Sequence, residues 1–178
     1  VNEFRDYARL PAAELKEVDL NALARDVLNL YLSEGAQVGV RAELDPACPL
    51  VLGDAQQLRQ VLHNLLQNAQ DATVSAGGSA GSDAVVLKTQ WLDGLSRVRL
   101  SVIDSGTGFP DYILKRAFEP YVTTKDRGTG LGLAVVKKIA DEHGTRVEIS
   151  NRQVDGKVGG AQVSLSFATV RGASAPHS

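Results

Sequence analysis

An α+β two-layer sandwich, with helices covering one face of a mixed sheet, is the fold class this sequence predicts. Two observations carry the prediction. Long amphipathic helical stretches and alternating strands both recur along the chain, yet they do so without strict βαβ alternation. The 178 residues, 43% of them hydrophobic, suffice for one domain with a substantial core.

The elements follow in order. In "VNEFRDYARLP", Val1, Phe4 and Ala8 with Tyr7 beside them form a helical stripe that Pro11 closes. "VDLNALARDVLNLYLSEG" predicts a helix with Leu20, Leu23, Ala24, Val27, Leu30 and Tyr31 inward and Gly35 as its stop. "AQVGVRAEL" alternates as a strand, and "CPLVLGD" supplies a short second one. A long helix runs from about Ala55 to Val74 and dissolves into the Gly/Ser-rich "SAGGSAGSD". "AVVLKTQWL" and "SRVRLSVID" are strands flanking Asp93-Gly94, a hairpin signal. The stretch from Ser105 to Gly130 is too long for an ordinary connection and is therefore a candidate functional segment. A helix from about Gly130 to His143 and strands near Arg146–Asn151 and Ala161–Ala168 complete the pattern, and "RGASAPHS" reads as a tail.

Composition narrows the function. A net charge of -2, with few aromatics and none interleaved with basic clusters, argues against nucleic-acid binding. The single cysteine, Cys48, rules out an internal disulfide and a cysteine-based zinc site, and reads as a small, partly buried apolar residue. No apolar run reaches the roughly 18 residues of a membrane span.

Three constellations carry chemistry. On the long helix, Leu58, Val61, Leu62, Leu65, Leu66, Ala69 and Ala72 fill one arc, with Arg59, His63, Gln67 and Gln70 opposite. Asn64, Asn68 and Asp71 form a polar stripe at the rim of the apolar arc. Such a stripe either offers oxygen ligands to a hard cation such as Mg²⁺ or caps neighbouring loops. In "VRLSVIDSGTGFP", Asp104 continues the core-facing series of Val98, Leu100 and Val102. It either receives the amino group of adenine, with Gly106 and Gly108 admitting the base, or closes an Asx turn onto the amide of Gly106. In "DRGTGLGLAVVKKIADEHG", Gly128, Gly130 and Gly132 bare amides at a helix N-terminus, an anion site, while Leu133, Val136 and Ala140 anchor the helix. The spacing matches neither a Walker loop nor the dinucleotide fingerprint.

In this order, "NLLQNAQDA", "DSGTGF", "FEPYVTTK" and "GTGLGLAVV" resemble the N, G1, F and G2 boxes of the ATP-binding domain of sensor histidine kinases, relatives of type II topoisomerase, Hsp90 and mismatch-repair ATPases. The resemblance covers residues 14–168 and implies the Bergerat (GHKL) sandwich of about five strands and three helices. It implies Mg²⁺ on Asn68, supported by Asn64 and Asp71, and the adenine of ATP on Asp104, Gly106 and Gly108. Phe118, Thr123, Thr124 and Lys125 fall to the lid and its γ-phosphate side, and Gly128, Thr129, Gly130, Leu131 and Gly132 to the phosphates. Asn64, Asn68 and Lys125 are the residues it places nearest the chemistry. Asn64 stands where the ATPases and ATP-gated clamps of the superfamily carry a general-base Glu, which favours transfer to histidine over hydrolysis. His63 reads as a surface residue, His143 as a cation meeting a helix dipole, and His177 lies in the tail. The resemblance therefore implies that the phosphoacceptor precedes Val1, with residues 1–13 ending its hairpin helix and 169–178 a disordered tail. "VNEFRDYARLP" is similar to sensor kinases of the NtrY and NtrB nitrogen-regulation type. Also implied are a response-regulator partner, a monomer for this stretch, and a homodimeric parent whose catalytic domain is cytoplasmic and whose anchor is the bacterial inner membrane. Three positions depart from the pattern: Asp71 replaces a common Lys, "HGT" replaces "HGG", and the family's late Thr has no clear counterpart in "GGAQVSLSF".

Overall fold

The computed structural model describes residues 12–33, 39–75, 85–116 and 132–170. The expected remnant helix, the Gly/Ser connector and most of the tail lie outside them. The elements in chain order are β1 (Lys16–Val18), α1 (Leu20–Ser33), β2 (Val40–Leu44), β3 (Val51–Gly53), α2 (Ala55–Ser75), β4 (Val85–Leu92), β5 (Arg97–Ile103), α3 (Asp111–Arg116), α4 (Gly132–Glu142), β6 (Glu148–Val154) and β7 (Lys157–Ala168). The main sheet has the order β2-β4-β5-β7-β6. Only β2 and β4 pair in parallel; the other three pairings are antiparallel, so the sheet is mixed, as predicted.

The core is one layer between sheet and helices. On α2, the seven residues of the predicted apolar arc are all buried, Leu58, Val61, Leu62 and Leu66 completely. All of them but Ala72 meet Val85 and Leu87 of β4, Val98, Leu100 and Val102 of β5, and Leu165 and Phe167 of β7 in a single cluster. Val135, Val136, Ile139 and Ala140 of α4 join it, and Leu133 packs at its edge. Burying a side chain of this kind contributes about 1.5–3 kcal/mol, so α2 alone contributes more than any surface contact in the molecule.

Several expectations need correction. On α1, Leu28 is buried and Leu30 is 45% exposed, because the covered arc turns toward Leu28 and leaves Leu30 just outside it. On α2, Gln70 is buried at 8%, since it lies only about 40° around the helix from buried Leu66. The hairpin expected around Asp93-Gly94 is present, with β4 and β5 pairing antiparallel as far as Leu92 and Arg97. A 3-10 turn over Asp93–Leu95 is followed by Ser96 in the left-handed region at φ 53°, which makes a longer loop. The two last strands are longer than predicted, joined at Asp155-Gly156, where both residues have positive φ. The packed chain also runs past Ala168: Thr169 is 1% exposed and its amide donates to the Ser96 carbonyl at 3.2 Å.

β1 pairs antiparallel with β3, which carries the chain to the N-terminus of α2. There Asp54 caps the helix: Oδ1 accepts from the amides of Gln56 and Gln57, both at 3.1 Å, and Oδ2 from Glu14 at 2.9 Å. His143 closes the same corner. Its Nδ1 lies 2.8 Å from the Ile139 carbonyl and its Nε2 accepts from the Asp54 amide at 3.0 Å. Both ring nitrogens are engaged with the backbone, so the role of His143 is structural. Cys48 is partly buried against the core, and burial pushes its thiol above the ordinary value.

Candidate functional site

β5 delivers Asp104 to the end of the sheet. Val98, Leu100 and Val102 face the core as the alternation requires, and Asp104 is only 4% exposed. Its Oδ1 accepts from the amide of Gly106 at 2.9 Å and from that of Ala161 at 3.0 Å. The Asx-turn reading is therefore present in the molecule, and a second strand reinforces it. Asp104 is fixed through its backbone as well: its amide donates to the Ala161 carbonyl at 2.9 Å, and its carbonyl accepts from Arg152 Nη1 at 2.8 Å. A buried carboxylate held by amides escapes the desolvation cost that an unpartnered one would carry.

The loop after Asp104 lies hard against three elements. Ser105 donates its amide to Thr73 Oγ1 of α2 at 3.2 Å. Gly106 passes so close to the end of α2 that a Cβ there would lie 2.7 Å from the Ala72 carbonyl oxygen. Gly108 has φ +83°, and a Cβ would meet Asn151 Oδ1 at 2.8 Å. The Asn151 carboxamide clamps the next residue from both sides, Oδ1 accepting from the Phe109 amide at 2.7 Å and Nδ2 donating to its carbonyl at 2.9 Å. The β7 side is shaped by a bulge, where the register with β6 shifts between Arg152 and Gln153 and skips Gly159. Gly160 beyond it has φ +151°, and any Cβ would run into the Asp104 carbonyl oxygen.

Thr73, Asn151, Arg152 and Gly160 were not singled out from sequence. A signal for Gly160 was available, since paired glycines inside a strand mark a bulge or a close backbone approach. Nothing local marks Asn151 or Arg152, whose partners lie 42 and 48 residues away.

α2 brings the polar stripe to this loop. Asn64, Asn68 and Asp71 are each partly exposed beside the buried arc. Asn68 precedes Ala72, the residue against Gly106, by one helical turn, or about 6 Å. Asp71 accepts from Gln67 Nε2 at 3.1 Å on its own helix. Among the described residues neither Asn64 nor Asn68 bonds a neighbouring loop, so the loop-capping reading of the stripe finds no support there. Their amide oxygens and the Asp71 carboxylate make a hard-oxygen donor set next to a glycine-lined wall, a set that would fit a hydrated Mg²⁺. Gly132 opens α4. Phe118, Thr123, Thr124, Lys125, Gly128, Thr129, Gly130 and Leu131 lie outside the described residues.

Residues 53–170 match the family described as "Histidine kinase-, DNA gyrase B-, and HSP90-like ATPase". The chain is 33% identical over 173 residues to an NtrY-like sensor histidine kinase of Rickettsia bellii (strain RML369-C), covering 94% of this chain and 26% of that one. The catalytic domain of histidine kinase ThkA superposes with a TM-score of 0.69 at 33% identity, over 88% of this chain and 96% of that domain. A ThkA structure in complex with response regulator TrrA gives 0.71 at 27% identity, over 93% of this chain and 45% of that one. Full-length ShkA in complex with AMPPNP gives 0.74 at 33% identity, over 95% of this chain and 35% of that one. The chain belongs to this ATPase family, as a catalytic ATP-binding domain of the sensor histidine kinase branch. It spans about a quarter of the length of the NtrY-like relative.

Proposed function

We propose that the chain binds Mg-ATP between α2, the loop after β5 and the segment before α4, and transfers the γ-phosphoryl group to a histidine of a helical hairpin domain that precedes it in the parent protein. The observation that carries this reading is the fixed Asp104 wall with the Asn64, Asn68 and Asp71 stripe one turn from it. Asp104 takes the adenine amino group, and Gly106 and Gly108 admit the base where a side chain would not fit. Asn68 holds the metal, with Asn64 and Asp71 ordering its water shell. When bound, Mg²⁺ neutralises charge on the transferring phosphoryl group. Phe118, Thr123, Thr124 and Lys125 then flank the γ-phosphate, Lys125 as its charge partner. Gly128, Thr129, Gly130, Leu131 and Gly132 offer backbone amides to the phosphates, helped by the dipole of α4.

Asn64 sets the choice of acceptor. A carboxamide cannot take a proton from water at neutral pH, so this position does not supply the general base that hydrolysis needs. A histidine nucleophile brings its own lone pair and needs positioning more than deprotonation. The phosphoacceptor hairpin, a response regulator, a homodimeric parent anchored in the inner membrane and a role in nitrogen regulation complete the reading. Of these, the response-regulator partner is supported by the ThkA complex with TrrA, and the nitrogen-regulation role by a relative named nitrogen regulation protein NtrY. Among the described residues no helix is long and apolar enough to cross a membrane.

The test supplies this chain with a histidine-bearing hairpin domain, Mg²⁺ and γ-labelled ATP. Acid-labile, base-stable label on the hairpin is expected. Absence of label from several hairpins, or phosphate release above about 1 s⁻¹ by the chain alone, overturns the reading. Asn68→Ala is expected to abolish Mg²⁺-dependent ATP binding, and Asp104→Asn to weaken the preference for ATP over GTP, both read by titration.

A further inference from the structure

The sheet face turned away from the helices carries a second concave feature. Because β5 and β7 alternate, Arg97 and Arg99 on β5 and Ser164 and Ser166 on β7 occupy the positions between the core-facing residues. The turn after β4 and the turn Gly144–Arg146 after α4 wall them in, leaving a groove of about 500 Å³. Arg97 is committed to its own strand neighbour, with Nε donating to Ser166 Oγ at 2.8 Å and Nη2 to the Ser166 carbonyl at 2.9 Å. Arg99 and Arg146 differ: among the described residues neither guanidinium has a hydrogen-bond or ion-pair partner. Among the described residues Glu148 is the only acid in the lining, so three cations face one anion there on a protein whose net charge is -2. At the rim stands Leu95, 67% exposed.

We propose that this groove docks an acidic segment of a partner protein, in which two or more carboxylates flank an apolar side chain. Guanidinium forks match carboxylates in pairs, and arginine next to exposed apolar surface is the composition of protein contact patches. A free small anion would satisfy the arginines and leave Leu95 unused. Nucleic acid is disfavoured by Glu148 and by the lack of aromatic side chains among the described residues of the lining. The groove sits at the start of β5, the end opposite Asp104, and on the other face of the sheet. It meets the C-terminal end of α4, which begins about 16 Å away at Gly132. An occupant there leaves the Asp104 wall untouched, and the inference stands whether or not the proposed reaction does.

The test uses the intact chain and fluorescence anisotropy with a labelled peptide containing Asp-Glu-Leu-Asp-Glu, alongside its Asn-Gln-Leu-Asn-Gln counterpart. At low salt the acidic peptide is expected to bind about tenfold or more tightly than the uncharged one, a difference of ~1.4 kcal/mol. The Arg99→Ser/Arg146→Ser pair is expected to weaken it by a similar factor with ATP affinity and melting unchanged, and Leu95→Ser to weaken it by a smaller one. Should the double variant lose its fold, Arg146→Gln alone, on the exposed turn, carries the comparison. Absence of binding, binding indifferent to the arginine variants, or displacement by citrate as effective as by unlabelled peptide overturns the proposal.

Discussion

Replacing Gly160 by alanine puts the Asp104 wall under a graded strain. The φ of +151° at this position is one that side-chain-bearing residues rarely adopt, and the added Cβ would strike the Asp104 carbonyl oxygen. Backbone strain of this kind costs about 1–3 kcal/mol. Moving the carbonyl also breaks its bond from Arg152, worth about 1 kcal/mol net. A loss of roughly 2–4 kcal/mol lowers the melting temperature of a domain this size by about 4–16 °C. Gly156→Ala is the matched control, because Gly156 has φ +80° but open space where its Cβ would stand. It should show the strain alone, about 1 kcal/mol, and leave ATP affinity unchanged. Gly160→Ala should weaken ATP by about tenfold or more, since Asp104 is displaced with its carbonyl. Calorimetry and nucleotide titration on both variants decide the matter. Equal melting and equal ATP affinity for the two would refute the close approach.

Two further outcomes are expected. Asn151→Ala removes both bonds to Phe109 and should cost about 1–3 kcal/mol, with a loss of ATP affinity larger than that caused by Gly156→Ala, read in the same assays. Asp54 supplies a pH test. Burial raises its carboxyl, but the amides of Glu14, Gln57 and Gln56, with His143 beside them, outweigh burial and hold it below the ordinary value. A depressed carboxylate stabilises the fold above its unfolded pKa of about 3.9 and loses that contribution as pH falls through the lower folded value. Melting of the wild type should therefore converge on that of Asp54→Asn between about pH 5 and pH 2, and a constant gap would argue against the cap.

What could be read from sequence was whatever repeats over several turns or alternations. α2 is the clearest case: with 21 residues and an unbroken apolar arc, its buried face and its polar stripe were both legible. β5 carried Asp104 with it, because a strict alternation fixes the side on which the next residue falls. β1, with three residues, is too short for any period to show. The edge of α1 was misread at Leu30 because neighbouring apolar positions compete for a boundary that only packing settles. β7 was started late because Val158, Gly159 and Gly160 break alternation at the bulge. α3, six residues inside a long irregular stretch, had no apolar period of its own. Asn151 and Arg152 acquire their roles only when β6 is laid beside β7, a tertiary event that no local pattern announces.

The triple fixing of Asp104, through its amide, its carbonyl and Oδ1, has a thermodynamic corollary. A base docking on this wall under the proposed reading meets an acceptor already in place, so it gives up no side-chain rotamer entropy there. Adenosine, which carries the base without the phosphates, should consequently bind with a small entropic penalty for its size. The larger ordering cost is then left to the phosphate end of the nucleotide, where ATP, but not adenosine, would incur it.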